Sequence, residues 1–252
     1  MTKYYVGIDG DKDGWVVASL LNSKTVPQID IYPSDIKALW QKVSPNAKFP
    51  VLIDIPIGLG NRADLERSLR KELGPAKSSV FSTKDRKALR AARRSPTFTA
   101  ANHDLPKGSR FTKQEFAIID KILEVDDYLI SCLKSNANIT SELVESHPEL
   151  AFVRLADLSG VARPSTKKTK QAGKAQRWDI IAGFSSGAIS RAKVTASLNL
   201  KFISKNGIKS QYEDDILDAI ALALLNFQGQ SHGFSNIPLL DANLIPMQFA
   251  SV

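Results

Sequence analysis

The first thirty residues alternate in a way that predicts strands. Lys3–Asp9, KYYVGID, is rich in β-branched and aromatic side chains. Gly10–Gly14, GDKDG, has the Asp-Gly chemistry of a tight hairpin. Trp15–Leu21, WVVASLL, is a second strand, and NSK turns the chain into a third, Thr25–Tyr32. Pro27 within it suggests an edge position, because proline cannot donate to a ladder. The pattern predicts a three-stranded antiparallel meander.

The period then changes. In Pro33–Val43 the apolar positions Ile36, Leu39, Trp40 and Val43 form one helical stripe, with Ser34 as its candidate N-cap. Phe49–Leu59, FPVLIDIPIGL, is a continuous apolar run of the kind found in buried parallel strands, with Pro56 stopping it. A helix between meander and buried strand gives a right-handed crossover, which places the fourth strand parallel in the same sheet. Residues 60–136 read as largely helical and charged. They include the basic stretch Lys84–Ser95 and a long helix opened by a Thr112–Glu115 capping box, with a stripe of Ile118, Ile122, Val125, Leu129 and Cys132. A short fifth strand is expected to end near Glu145. A basic loop, GVARPSTKKTKQAGKAQR, follows and is expected to be mobile without a ligand. Two helices close the pattern, about 178–189 and about 212–227, before an irregular tail that contains Pro238 and Pro246. No internal repeat is present.

Composition narrows the class. The chain has 252 residues, 43% of them hydrophobic, enough for one elaborated domain. No apolar run approaches the ~18 residues of a membrane span, so no membrane partner is expected. The N-terminus enters a strand without an apolar signal core, and the single cysteine, Cys132, excludes an internal disulfide framework. Both features predict a cytoplasmic location. The net charge of +8 hints at an anionic partner such as a phosphate backbone.

The chemistry lies in carboxylates at positions where ionisation is expensive. Asp9 ends one buried strand and Asp54 lies inside another, and each needs a partner or a raised pKa. In the last helix, Asp215 and Asp218 share a stripe with Leu222 and Leu225 that should face the sheet, whereas Asp214 is one residue round and expected to be exposed. An acid in a first helical turn complements the dipole, which accounts for Asp214 but not for Asp218. Lysine could neutralise converging acids. Mg²⁺ or Mn²⁺ suits hard carboxylate oxygens better, and such ions can activate water against a phosphodiester.

This order of meander, helix, buried acid-bearing strand, fifth strand and acid-bearing helix resembles the ribonuclease H-like superfamily, particularly its Holliday-junction resolvase branch. The blocks VGIDGDKDGWVVA, LIDIPIGL, SSVFSTKDRKAL, FTKQEFAIIDKILEVD, ESHPELAF and EDDILDAIALAL resemble successive motifs of the DUF429 family of predicted nucleases. The resemblance implies an α/β fold with a mixed five-stranded sheet, an antiparallel three-strand meander plus two parallel strands, flanking helices and a large helical insertion at about 60–140. It implies one domain over 1–228 and an irregular extension over 229–252. It carries Asp9, Asp54, Asp215 and Asp218 over as catalytic, metal-binding acids, with Glu145, His147 and Glu149 from the ESHPE block nearby. Arg86, Gln114, Lys121, Lys174 and Arg177 fall at recurrent positions and are candidate substrate contacts. Lys84 stands where the family's Pro-x-Arg block has proline.

His147 could act as base or ligand, or order the turn before Pro148. Glu145 could be a ligand or the partner of a nearby Lys or Arg. The Arg86–Arg94 cluster could grip phosphates or be a solvated helix face. Three function classes follow. The first is metal-dependent hydrolysis of DNA, RNA or a smaller phosphodiester. The second is an actin-like phosphotransferase, to whose first phosphate loop GIDGDKDG is loosely similar, although the second Asp-x-Gly loop and the adenosine motif are missing. The third is a non-catalytic binding protein. The oligomeric state is left open, a dimer included.

Overall fold

The structure is a computed structural model, and it describes the chain except residues 1, 12, 13, 34, 81, 136–138, 206, 233–238, 242–244 and 248–252. The expected Ser34 cap, the centre of the GDKDG turn and Pro238 therefore lie outside the described residues. Three antiparallel strands open the chain: β1 Tyr5–Asp11, β2 Gly14–Leu20 and β3 Gln28–Tyr32. Helix α1, Ile36–Val43, crosses to β4, Val51–Ile53, which pairs in parallel with β1. The side chain of Asp35 caps α1, accepting from the Ala38 N–H at 2.8 Å.

The insertion holds α2 Ala63–Leu73, α3 Arg86–Arg93, α4 Phe98–Asn102, α5 Lys113–Ala117, α6 Ile119–Lys134 and α7 Ile139–Glu142. β5, Leu143–Glu145, then pairs in parallel with β4. The sheet order is β3-β2-β1-β4-β5, the mixed sheet that the sequence predicts. The chain continues through α8 Pro148–Ser159, α9 Gln171–Phe184, α10 Arg191–Ser197 and the small hairpin β6 Ile203–Ser204 with β7 Gly207–Ile208. Helix α11, Ser210–His232, and the hairpin β8 Leu239–Leu240 with β9 Pro246–Met247 end it.

Both faces of the sheet are buried, and strand alternation divides two cores. Val16, Ala18, Leu20 and Leu52 point toward α8, α9 and α11. Trp15, Val17, Val51 and Ile53 point toward α1, α3 and α6. Helix α11 is buried from Ile216 to Leu225 on nearly all sides, as a helix enclosed by a core must be. No helix among the described residues is long and apolar enough to cross a membrane.

Several boundaries differ from expectation for physical reasons. β4 spans only three residues, because the apolar stretch after Asp54 is buried as a loop rather than as a ladder. The expected single helix after Thr112 keeps its capping box but breaks at Ile118, whose φ of −108° and ψ of 6° separate α5 from α6. α9 begins at Gln171, so the last seven residues of the expected loop are helical. The remainder makes defined contacts with this helix. Arg177 donates to the Thr166 and Gly173 carbonyls at 3.1 and 2.9 Å, and Gly173 presses so closely that a Cβ would lie 2.1 Å from the Lys167 carbonyl. The tail expected to be irregular contains β8 and β9, and buried Asp241 ties it back, accepting from the Leu59 N–H at 3.0 Å.

Candidate functional site

The site forms at the carboxyl ends of the parallel strands, where open α/β sheets place ligands. Ile8 lies beside Ile53, and Ile53 beside Glu145. One residue further along β1 is Asp9, and one past β4 is Asp54, whose N–H donates to the Ile8 carbonyl at 3.0 Å. The third contribution comes from the start of α11. This helix lies directly on β1 because residue 7 is glycine. A Cβ there would be 2.2 Å from the Ala219 carbonyl and 2.5 Å from the Ala223 nitrogen. That close approach carries Asp215 and Asp218 to the strand ends.

Asp9, Asp54, Asp215, Asp218, Glu145 and His147 all line one cavity of about 240 Å³. Gln114 and Lys121 line it from the insertion side. The Lys121 ammonium donates to the Gly14 carbonyl at 2.5 Å and lies 4.3 Å from the centre of the Trp15 ring.

The electrostatics follow from crowding acids in a dry place. Burial, then repulsion from Asp54, Asp218 and Asp215, holds the Asp9 carboxyl well above the usual range, against the pull of Lys168. Burial, followed by the charge of Asp218, pushes Asp54 up to about 8. Asp218 is raised by burial although Lys168 opposes it. Of its oxygens, Oδ2 is paired with the Lys168 ammonium and Oδ1 is buried without a hydrogen-bond partner. Burial pulls Lys168 down, but Asp218, Asp9 and Asp54 outweigh it and hold the ammonium charged. The cation at the centre of the acids is thus Lys168.

Glu145 and His147 have defined partners. Glu145 Oε1 accepts from Arg62 at 2.5 Å and Oε2 from the Ile57 N–H at 2.7 Å. Arg62 also donates to the Ile57 and Gly58 carbonyls, so this buried pair shapes the loop after Asp54. Burial moves Glu145 up to about 7, with Arg62 opposing. His147 caps α8, its Nδ1 accepting from the Glu149 N–H at 3.2 Å. Burial and then Lys168 lower its pKa to about 4. It is therefore neutral at physiological pH, with the other ring nitrogen bearing the proton.

Three candidate substrate contacts lie away from the cavity lining. Arg86 makes a two-pronged contact with Asp126 at 2.6 and 2.7 Å and reaches Asp241 at 2.6 Å. Lys174 pairs with Asp214 at 3.0 Å, and Asp214 is half-buried rather than exposed. Arg177 clasps both oxygens of Glu149 at 2.7 Å. The basic cluster of α3 is also countered from α6: Arg90 pairs with Asp127, and Arg93 with Asp120 at 2.9 Å. Sequence reasoning missed Lys168, Arg62 and Gly7. Lys168 is one of three lysines in TKKTK, where residue type alone does not show which one turns inward.

Among the described residues, no three His, Cys, Asp or Glu side chains stand in a metal-ligating arrangement. The donor chemistry nevertheless suits a hard divalent cation. It comprises carboxylate oxygens from β1, the loop after β4 and α11 lining one cavity, and the buried Asp218 Oδ1.

A family model described as "Protein of unknown function (DUF429)" matches residues 7–228. No curated protein and no solved structure matches the chain.

Proposed function

The chain belongs to the DUF429 family, and from that premise we propose that it is a metal-dependent phosphodiester hydrolase, a nuclease centred on Asp9, Asp54 and Asp218. The observation that carries this reading is the shared cavity at the strand ends, into which β1, the loop after β4 and α11 each bring a carboxylate with a raised pKa. Asp9, Asp54 and Asp218 would hold Mg²⁺ or Mn²⁺, with Asp215 completing the set. The ion would supply the positive charge that activates water and steadies a leaving oxygen.

The chain's own residues fill the remaining roles. Lys121, steadied by Gly14 and Trp15 at the cavity edge, is placed to meet a non-bridging phosphate oxygen. Gln114 offers an amide on the same side. Glu145 and Arg62 hold the loop that forms one wall, and neutral His147 fixes the start of α8. A cavity of about 240 Å³ falls below the ~300–1,000 Å³ of drug-sized ligand sites. It accommodates a single phosphodiester linkage, with the rest of a nucleic acid lying outside. The net charge of +8 favours such a polyanion. An actin-like phosphotransferase reading has less support, since the described residues form one five-stranded sheet and two small hairpins rather than two half-domains.

The test is cleavage of single-stranded, duplex and branched DNA, RNA and a chromogenic phosphodiester, each with Mn²⁺ and with EDTA. Cleavage is expected only with metal. Asp9→Asn and Asp54→Asn should each lower it by at least about 100-fold, the scale of losing one preorganised charge contact, with circular dichroism unchanged. Full activity in either variant, or no cleavage of any substrate by the wild type, would remove the proposal. ATP turnover in its place would favour the phosphotransferase.

A further inference from the structure

The carboxylate cluster carries its own cation, and that cation has a way out. Lys168 Nζ is paired with Asp218 Oδ2 and lines the same cavity as Asp9 and Asp54. We propose that the Lys168 ammonium and a divalent ion are alternative occupants of this cluster, so that metal binding expels Lys168 from Asp218 and the lysine acts as a tethered competitor setting metal affinity. The proposal rests on the reading of the site as a metal centre.

Two observations and one physical argument support it. Lys168 satisfies only one Asp218 oxygen, while the other is buried and without a hydrogen-bond partner. The Lys168 side chain is 36% exposed while that of Asp218 is 1% exposed, so of this pair it is the lysine that faces solvent. An ammonium and a divalent ion beside the same carboxylate repel each other, and at a buried oxygen that repulsion is poorly screened.

The backbone around Lys168 is held on both sides. Arg177 grips the Thr166 and Gly173 carbonyls, Gly173 abuts Lys167, and the Lys170 N–H donates to the Lys167 carbonyl at 3.0 Å. Exchange therefore needs only rotation of a four-carbon stem with three rotatable donors at its end, and the loop itself stays in place. The same anchoring returns the ammonium to Asp218 when the ion leaves.

The experiment uses the full chain and MnCl₂ alone, with two readouts. Lysine acylation followed by mass spectrometry should find Lys168 protected in EDTA and several-fold more reactive under saturating Mn²⁺. Lys174, paired with Asp214 outside the cavity lining, should change little. By calorimetry, Lys168→Met should bind Mn²⁺ at least about tenfold more tightly than the wild type, while Lys168→Arg should not. If Mn²⁺ binds while Lys168 stays protected, or if Lys168→Met binds no more tightly, the competition is refuted and the hydrolase reading stands. If neither wild type nor variant binds Mn²⁺, both fall. Should Lys168→Met fail to fold, labelling of the wild type decides.

Discussion

Replacing Asp54 with asparagine should make the metal-free protein more stable. In the folded chain the Asp54 carboxyl titrates at about 8, against about 3.9 when unfolded. Between these values the folded state holds a proton that the unfolded state has released, so stability falls as pH rises. The contribution is intact below about pH 3.9, and at pH 7 its loss amounts to about 1.36 kcal/mol for each of about three units, or about 4 kcal/mol. An amide cannot ionise in either state and escapes this loss. The amide is itself half-buried at a position where no side-chain hydrogen bond is present among the described residues, which returns about 1–3 kcal/mol. The net gain is about 2 kcal/mol, or a rise in Tm of about 4–8 °C for a chain of this size. Calorimetry in EDTA at pH 5, 7 and 8.5 should show the gap between Asp54→Asn and wild type widening with pH and levelling off above about pH 8. A variant that melts below the wild type at pH 7, or a gap indifferent to pH, would refute the reasoning. The first result would mean that the ionised Asp54 is needed to hold Lys168, and the second that Asp54 titrates alike in the folded and unfolded chain.

Two further predictions concern the frame of the site. Arg62→Met strands Glu145 with one backbone donor and should cost about 3–5 kcal/mol in urea unfolding; Arg62→Lys should recover less than half, since an ammonium cannot span Glu145 and two carbonyls at once. Gly7→Ala drives a methyl into the α11 backbone and should cost about 3 kcal/mol or more, whereas Gly108→Ala, with nothing within 4 Å, should stay within about 0.5 kcal/mol in the same titration.

Much of the scaffold is legible in the residue pattern because burial has a period. The alternation in β1 and β2 sorts side chains between two cores, and the crossover rule places β4 parallel in the same sheet without any contact being known. Asp9, Asp54 and Asp218 are legible for the opposite reason, as charges where apolar residues belong. What escaped depends on partners distant in the chain. Arg86 looked like a surface cation because Asp126 and Asp241, 40 and 155 positions away, are invisible to local reading. The glycine in KQAGKAQR suggested a loop, yet Gly173 sits in a helix, where its missing side chain admits the neighbouring backbone. The apolar stretch after Asp54 matched a strand in composition, but its backbone partner is the Glu145 carboxylate, which local periodicity does not encode.

Asp241 lies beyond residue 228, where the family match ends, yet its buried carboxylate bridges Leu59 in the loop after Asp54 and Arg86 at the start of α3. The tail therefore works as a keystone joining insertion and sheet. Cutting the chain back to residue 228 would take this carboxylate from both Arg86 and the Leu59 amide. The seam between insertion and sheet thus rests in part on a residue outside the matched stretch.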